Sequence, residues 1–351
     1  MRRLDRVLFL LFLSISGIVG AQKPMRVGTT TANFLEYGYG SAACAMGDAY
    51  VSMTGDVSCV YWNPAGLGYL ERGEALFSYQ PWIVGIKTSF VSVGIPLQRI
   101  GAFAFNVISV NYGEMDVTTV SRPEGTGEKF SPSDVAVSIS YARKITNWFA
   151  FGSSFKYIAS NILHMKASAM AVDLGVIINT GFYSVTGRKE DGLNIGMSIS
   201  NFGTKMRYDG IDLLRLIDIL KDEEGNYANV KGKFALEAWE LPVIFRLGIS
   251  AKPIINRLGE VVLSVDAIHP NNNCEYVNMG VQYSFRFSTT GTLYLRAGYK
   301  ALFMENSQYS MSYGGGIKLN FLGNREFRIN YSFRDIGILG NTSTYEMIIS
   351  F

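Results

Sequence analysis

The stretch VNMGVQYSFRF, Val277 to Phe287, alternates without a break. Val277, Met279, Val281, Tyr283, Phe285 and Phe287 fall on one side, and Asn278, Gly280, Gln282, Ser284 and Arg286 on the other. A period of two is that of a β-strand with one apolar face. The pattern returns in VIFRLGISAK, where Val243, Phe245, Leu247 and Ile249 oppose Arg246, Gly248 and Ser250. It returns again in FRINYSFR, where Phe327, Ile329, Tyr331 and Phe333 oppose Arg328, Asn330, Ser332 and Arg334. Segments of about 9 to 12 residues suit a tilted strand crossing a bilayer, whereas strands of soluble sandwiches mostly run to ~5 or 6. Phe and Tyr near the segment ends, with aliphatics between, supply an aromatic girdle.

The expected fold class is therefore all-β: a transmembrane antiparallel β-barrel of about fourteen strands. They start near Glu74, Lys87, Ile100, Asp134, Trp148, Ala167, Gly192, Leu241, Gly259, Tyr276, Thr292, Ser310, Arg325 and Ser343. Composition agrees, since aromatics reach 13% and charged residues only 17%, which suits strands facing an apolar medium. A net charge of +3 gives no field for nucleic acid. Arg2, Arg3 and Arg6 precede an apolar run, Val7 to Val19, and Val19-Gly20-Ala21 fits a small-x-small cleavage site. Residues 1–21 read as a signal peptide and Gln22 as the mature start. A retained anchor is the rival reading, but the run is shorter than the ~20 residues a spanning helix needs.

With the chain exported and its lipid-facing strands in the outer membrane, odd-numbered connectors fall outside the cell. The longest, 113–133 and 202–240, are both odd. Asn179 to Asp191, an even one, is longer than that rule expects. Within 202–240, Ile211, Leu214, Ile217 and Leu220 recur at helical spacing and predict a surface helix. Its apolar stripe is read either as a lid on the barrel or as a docking face for a partner. At the end of the chain Tyr345, Met347, Ile349 and Phe351 alternate with Thr344, Glu346, Ile348 and Ser350. Tyr345 and the terminal Phe351 resemble the signal read by the barrel assembly machinery.

Residues 22–72 have the wrong pattern for spanning and precede a barrel assigned to 73–351. Ala42, Ala43, Ala45, Gly47 and Ala49 allow close backbone approach. Asn63 can cap a turn opened by Pro64 and ended by Gly66 in the left-handed conformation. The segment reads as a small lumen plug, with Tyr61 and Trp62 anchoring it to an apolar inner wall. Cys44 and Cys59 are either a bridge or two small buried hydrophobes.

The stretch SAACAMGDAYVSMTGDVSCVYWNPAGL resembles the N-terminal signature of the PorV/PorQ family of outer-membrane proteins at Ala45, Met46, Gly47, Ala49 and Tyr50 and at Trp62, Asn63, Pro64, Ala65, Gly66 and Leu67, and departs from it at Cys44 and Asp48; Asp48 and Tyr61 complete the plug motif of this chain. That family is related to FadL-type fatty-acid transporters. The resemblance implies a fourteen-stranded barrel, an N-terminal segment in the lumen and association with type IX protein secretion.

By alternation Arg246, Arg286, Arg296, Lys318, Arg328 and Arg334 face the lumen against Asp173, Asp266 and Glu346. An excess of buried cations needs partners, and Asp48 and Asp56 on the plug are candidates. The alternative is a site for an anionic headgroup or carboxylate. His164 and His269 read as solvated connector residues rather than catalytic bases, and no spacing suggests a metal or other cofactor. Two functions stay open. One is a non-enzymatic barrel that contacts the type IX translocon or its secreted cargo, with outer-membrane lipids and the assembly machinery as further partners. The other is a passive transporter of hydrophobic small molecules.

Overall fold

The computed structural model describes residues 26–219, 222, 229–288, 290–321 and 325–351. The signal peptide lies outside them, and among them no helix is long and apolar enough to cross a membrane. Fourteen strands form the wall: β1 Glu74–Pro81, β2 Lys87–Leu97, β3 Gly101–Asn111, β4 Ser133–Thr146, β5 Phe149–Ile162, β6 Met165–Asn179 and β7 Asn194–Gly203 make the first half. The second half is β8 Ile244–Ile255, β9 Gly259–Pro270, β10 Tyr276–Ser288, β11 Gly291–Leu302, β12 Met311–Phe321, β13 Arg325–Asp335 and β14 Asn341–Ser350. Glu74, Lys87, Gly259, Tyr276 and Arg325 open strands where the alternation puts them. The largest offset is at Leu241, three residues before β8.

Each strand pairs antiparallel with its sequence neighbour, and β1 pairs with β14 in the register Glu74↔Ser350 through Tyr79↔Tyr345. The ring is closed. Closure removes the unpaired edges that an open sheet would present to lipid. The even-numbered residues of β2 to β5 point inward, where Ser92 donates to Asn106 Oδ1 at 2.6 Å and Asn106 donates to Ser138 and Ser140. Outward-facing Phe103, Phe105, Ile139 and Phe155 are exposed, as a lipid-facing surface requires.

One mouth carries the connectors 82–86, 112–132, 163–164, 204–243, 271–275, 303–310 and 336–340. The other carries 98–100, 147–148, 180–193, 256–258, 289–290 and 322–324. They are called here the long-loop and short-loop mouths. The exception at the short-loop mouth, 180–193, is folded around buried Asp191, which accepts from Thr186 Oγ1 at 2.5 Å and pairs with Arg188 at 2.8 Å and Lys252 at 3.4 Å.

The expected helix in the longest connector is a β-hairpin instead. Leu214–Ile217 pairs antiparallel with Val230–Lys233, preceded by a single 3-10 turn at Ile211–Leu213. Ile211, Leu214 and Ile217 are exposed, and Leu220 lies outside the described residues. An apolar stripe with no surface beneath it gains little from helical spacing, whereas pairing with a second strand satisfies the backbone. His269 also departs from expectation, because it belongs to β9 rather than to a connector.

Residues 26–72 form an irregular segment with helical turns at Asn33–Glu36, Ser41–Ala45, Cys59–Trp62 and Pro64–Tyr69. Phe34, Leu35, Tyr39, Met46, Val57 and Leu67 share one apolar cluster with the wall residues Leu76, Phe90, Ile108, Val110, Ile158 and Ile348. At the seam the Phe351 N–H donates to the Gly73 carbonyl at 2.8 Å, and a Cβ on Gly73 would meet the Phe351 ring at 2.6 Å.

Because the sheet has no free edge, the folded protein should run as a compact species in detergent until boiled, with a β-type circular dichroism spectrum. Identical migration before and after boiling would contradict the closed wall. Deleting Phe351 should lower the inserted fraction more than synthesis, measured by membrane fractionation against total protein.

Candidate functional site

The segment enters the barrel with irregular backbone, so its N–H groups need partners other than a regular ladder. Three wall carboxylates supply them. Ser41 N–H donates to Glu346 at 2.8 Å, Val51 N–H to Asp266 at 2.9 Å and Val57 N–H to Glu74 at 2.8 Å. The wall's cations act in the opposite sense. Asp48 is held by Arg334 and by Lys300 Nζ at 2.8 Å, and Asp56 by Arg328 at 2.9 Å. Asp56 also accepts from the Tyr50 hydroxyl at 3.4 Å and from the Ser58 N–H at 3.0 Å. Asp48 is buried, so its charge depends on Arg334 and Lys300 for compensation.

Asn63 joins both parties. Its Oδ1 accepts from the Ala65 N–H at 3.1 Å, capping the turn that Pro64 opens, while its Nδ2 donates to the carbonyls of Val51 at 2.9 Å and of Val176 on β6 at 3.0 Å. Wall glycines make that contact possible: a Cβ on Gly175 would lie 2.0 Å from Asn63 Oδ1, and one on Gly298 would lie 2.1 Å from the Met46 carbonyl carbon. Gly47 has φ 65° and sits against the Tyr299 backbone. Gly66 differs from expectation. It lies inside the 3-10 turn, whose end is Leu70, and its lack of a side chain leaves room for Cys59 Sγ, 2.6 Å from where a Cβ would be. Cys59 and Cys44 are buried free thiols.

Tyr61 and Trp62 lie in the apolar cluster shared with wall residues, Tyr61 meeting Phe90 at 6.4 Å between ring centroids, and their polar atoms are fixed to the segment's own backbone. The Tyr61 hydroxyl donates to the Leu35 carbonyl at 2.8 Å and Trp62 Nε1 to the Tyr39 carbonyl at 3.0 Å. Tyr39 and Tyr61 meet edge to face at 5.0 Å, and the Arg246 guanidinium lies 5.9 Å from the Tyr61 ring and 5.6 Å from the Trp62 ring. On β7, Ser198 donates to the Trp62 carbonyl at 2.8 Å.

Of the six inward cations read from alternation, Arg328 and Arg334 meet segment carboxylates. Arg246 lies over the aromatic pair, and Arg296 donates to Gln282 at 2.7 Å and Asn330 at 2.9 Å within the wall. Arg286 is exposed, and Lys318 is half-buried beside Glu326 at 3.7 Å. Both stand near the short-loop ends of their strands, where Arg72 of the segment reaches the same Glu326 as Lys318. Alternation also marks two cations that the sequence reading passed over. Lys300 shares the inward face of Arg296. Lys156 shares that of Ser154 and pairs with Asp173 at 2.6 Å.

A family model described as "Type IX secretion system protein PorV" matches residues 20–214. No curated protein matches the chain. Among solved structures, the Pseudomonas putida toluene transporter TodX is similar at 12% identity and a TM-score of 0.54, covering 89% of this chain and 97% of its own. The Ralstonia pickettii toluene transporter TbuX is similar at 13% and 0.53, with 89% and 97% covered. The CymD monoaromatic hydrocarbon channel is similar at 12% and 0.53, with 89% and 96% covered. At these identities the likeness is one of fold.

Asp48→Asn leaves Arg334 and Lys300 facing a neutral group, a change that costs about 3–5 kcal/mol when a buried pair is broken. The segment should then become protease-sensitive while heat-modifiability persists. Asp48→Asn should be cleaved at neutral pH under conditions where wild type resists; equal resistance of the two proteins would contradict the clamp.

Proposed function

The chain belongs to the PorV family of type IX secretion system proteins, and from that premise we propose that it is a non-enzymatic outer-membrane barrel engaging translocon components or secreted cargo through its long-loop mouth. The observation that carries this reading is the occupied lumen. A segment held by Asp48, Asp56 and Asn63, and hydrogen-bonded to Glu74, Asp266 and Glu346, works as a plug over residues 26–72, the described part of the segment 22–72, and leaves the loops as the working surface. The hairpin in connector 204–243 and the residues after it expose Leu216, Phe234, Leu236 and Trp239. Exposed apolar side chains on a connector outside the lipid-facing wall are the kind that a protein partner buries.

The second reading, passive transport of hydrophobic small molecules, has the fold of the toluene transporters in its favour. Against it stands the polar inner face of Ser92, Asn106, Ser138, Ser140 and Ser154, which offers an apolar solute little while the plug is seated.

Gentle detergent extraction should recover the protein together with large secretion components. Leu216→Ser with Trp239→Ser should lower that recovery while leaving heat-modifiability unchanged. Recovery of the barrel with bound lipid or hydrocarbon and without protein partners, in wild type and variant alike, would favour transport and sink the contact reading.

A further inference from the structure

The N-terminal segment does not enter and leave by the same mouth. Its first described residues lie among the long connectors. The Thr31 N–H donates to the Glu240 carbonyl at 3.0 Å, and Thr30 forms a parallel bridge with Glu240. The Asn272 amide donates both to Thr30 Oγ1 and to the Glu36 carboxylate, each at 2.8 Å. Tyr37 stacks on Trp82 with 4.8 Å between ring centroids. Trp82, Glu240 and Asn272 belong to three separate connectors of the long-loop mouth. The end of the segment lies at the opposite mouth. There Lys144 Nζ stands 4.3 Å from the Tyr69 ring centroid, Arg72 pairs with Glu326 at 3.3 Å, and Gly73 accepts from Phe351. Lys144 and Glu326 are near the short-loop ends of β4 and β13.

We infer that the segment threads the lumen from the outer mouth to the inner one, so that its first described residues, from Arg26 to Thr31, stand at the cell surface and form one protein-contact surface with connector 204–243. For its partner this rests on the protein-contact reading proposed above, and for its orientation on long loops facing outward. The surface includes Val27, which is 65% exposed, beside the strap that Glu240 holds, and Trp239, which is 47% exposed next to it. Thr31 is tied to the same connector a second time, through its hydroxyl and Met206 Sδ at 3.7 Å. From there the chain leads directly to Leu35 and Tyr39, whose carbonyls hold Tyr61 and Trp62. A partner that shifts connector 204–243 therefore pulls on the lumen packing through the backbone, without any wall strand moving.

The test uses the full-length protein in intact cells and a membrane-impermeant maleimide. Cys274→Ser removes the one half-exposed native thiol, while Cys44 and Cys59 are buried. Single cysteines then replace Val27, Val120 in connector 112–132 and Glu71 at the short-loop mouth, all of them exposed. Val27→Cys should label as fully as Val120→Cys, and Glu71→Cys only after the outer membrane is permeabilised. Labelling of Val120→Cys with Val27→Cys silent until permeabilisation would overturn the threading alone. Labelling of Glu71→Cys with Val120→Cys silent would overturn the orientation instead. In gently extracted complexes Val27→Cys should be shielded relative to partner-free protein; equal labelling would remove the strap from the contact surface.

Discussion

A chain of irregular backbone shut inside a closed sheet loses water from its N–H and C=O groups, and the wall must replace it. The rest of the interior follows from that requirement. Glu74, Asp266 and Glu346 accept from the segment's N–H groups, and the wall's Arg328, Arg334 and Lys300 meet carboxylates that the segment carries inward. The segment brings carboxylates to the wall's cations and N–H groups to the wall's carboxylates, so each party supplies a partner for the other at these contacts. Glycines at 175 and 298 are the steric side of the same requirement, since partners at hydrogen-bonding distance leave no space for a Cβ.

Much of the wall was legible in the sequence because a two-residue period with one lipid face and one polar face writes itself into every strand. The clamp was legible in half. Alternation put Arg328 and Arg334 inside and left Asp48 and Asp56 as available acceptors, yet the same period also marks Lys300 and Lys156, which pair with Asp48 and Asp173. Which cation meets which carboxylate depends on strand register and on the path of an irregular segment, and neither has a local signature. Arg286 shows the limit from the other side: it has the inward parity of Gln282 and Ser284 but is exposed near the short-loop end of its strand.

The long connector was misread for a different reason. Ile211, Leu214 and Ile217 at spacings of three satisfy a helical stripe, but a short apolar run is ambiguous between helix and strand unless something selects one. Here Val230–Lys233, more than ten residues downstream, supplies a paired edge. Fold likeness has a comparable limit. Barrels at 12–13% identity share the wall with this chain, while what the wall encloses is set by the few side chains that grip residues 26–72.

The path of the N-terminal segment from one mouth to the other also bears on the order of folding. In a ring already closed the segment would have to thread its free end through the lumen, whereas on a sheet still open between Glu74 to Tyr79 and Tyr345 to Ser350 it can be laid down sideways. Ser41 meets Glu346 across almost the whole length of the chain, and such non-local contacts form late and slowly. On that second route the seam closes last, and insertion is a wrapping of strands around a core already in position.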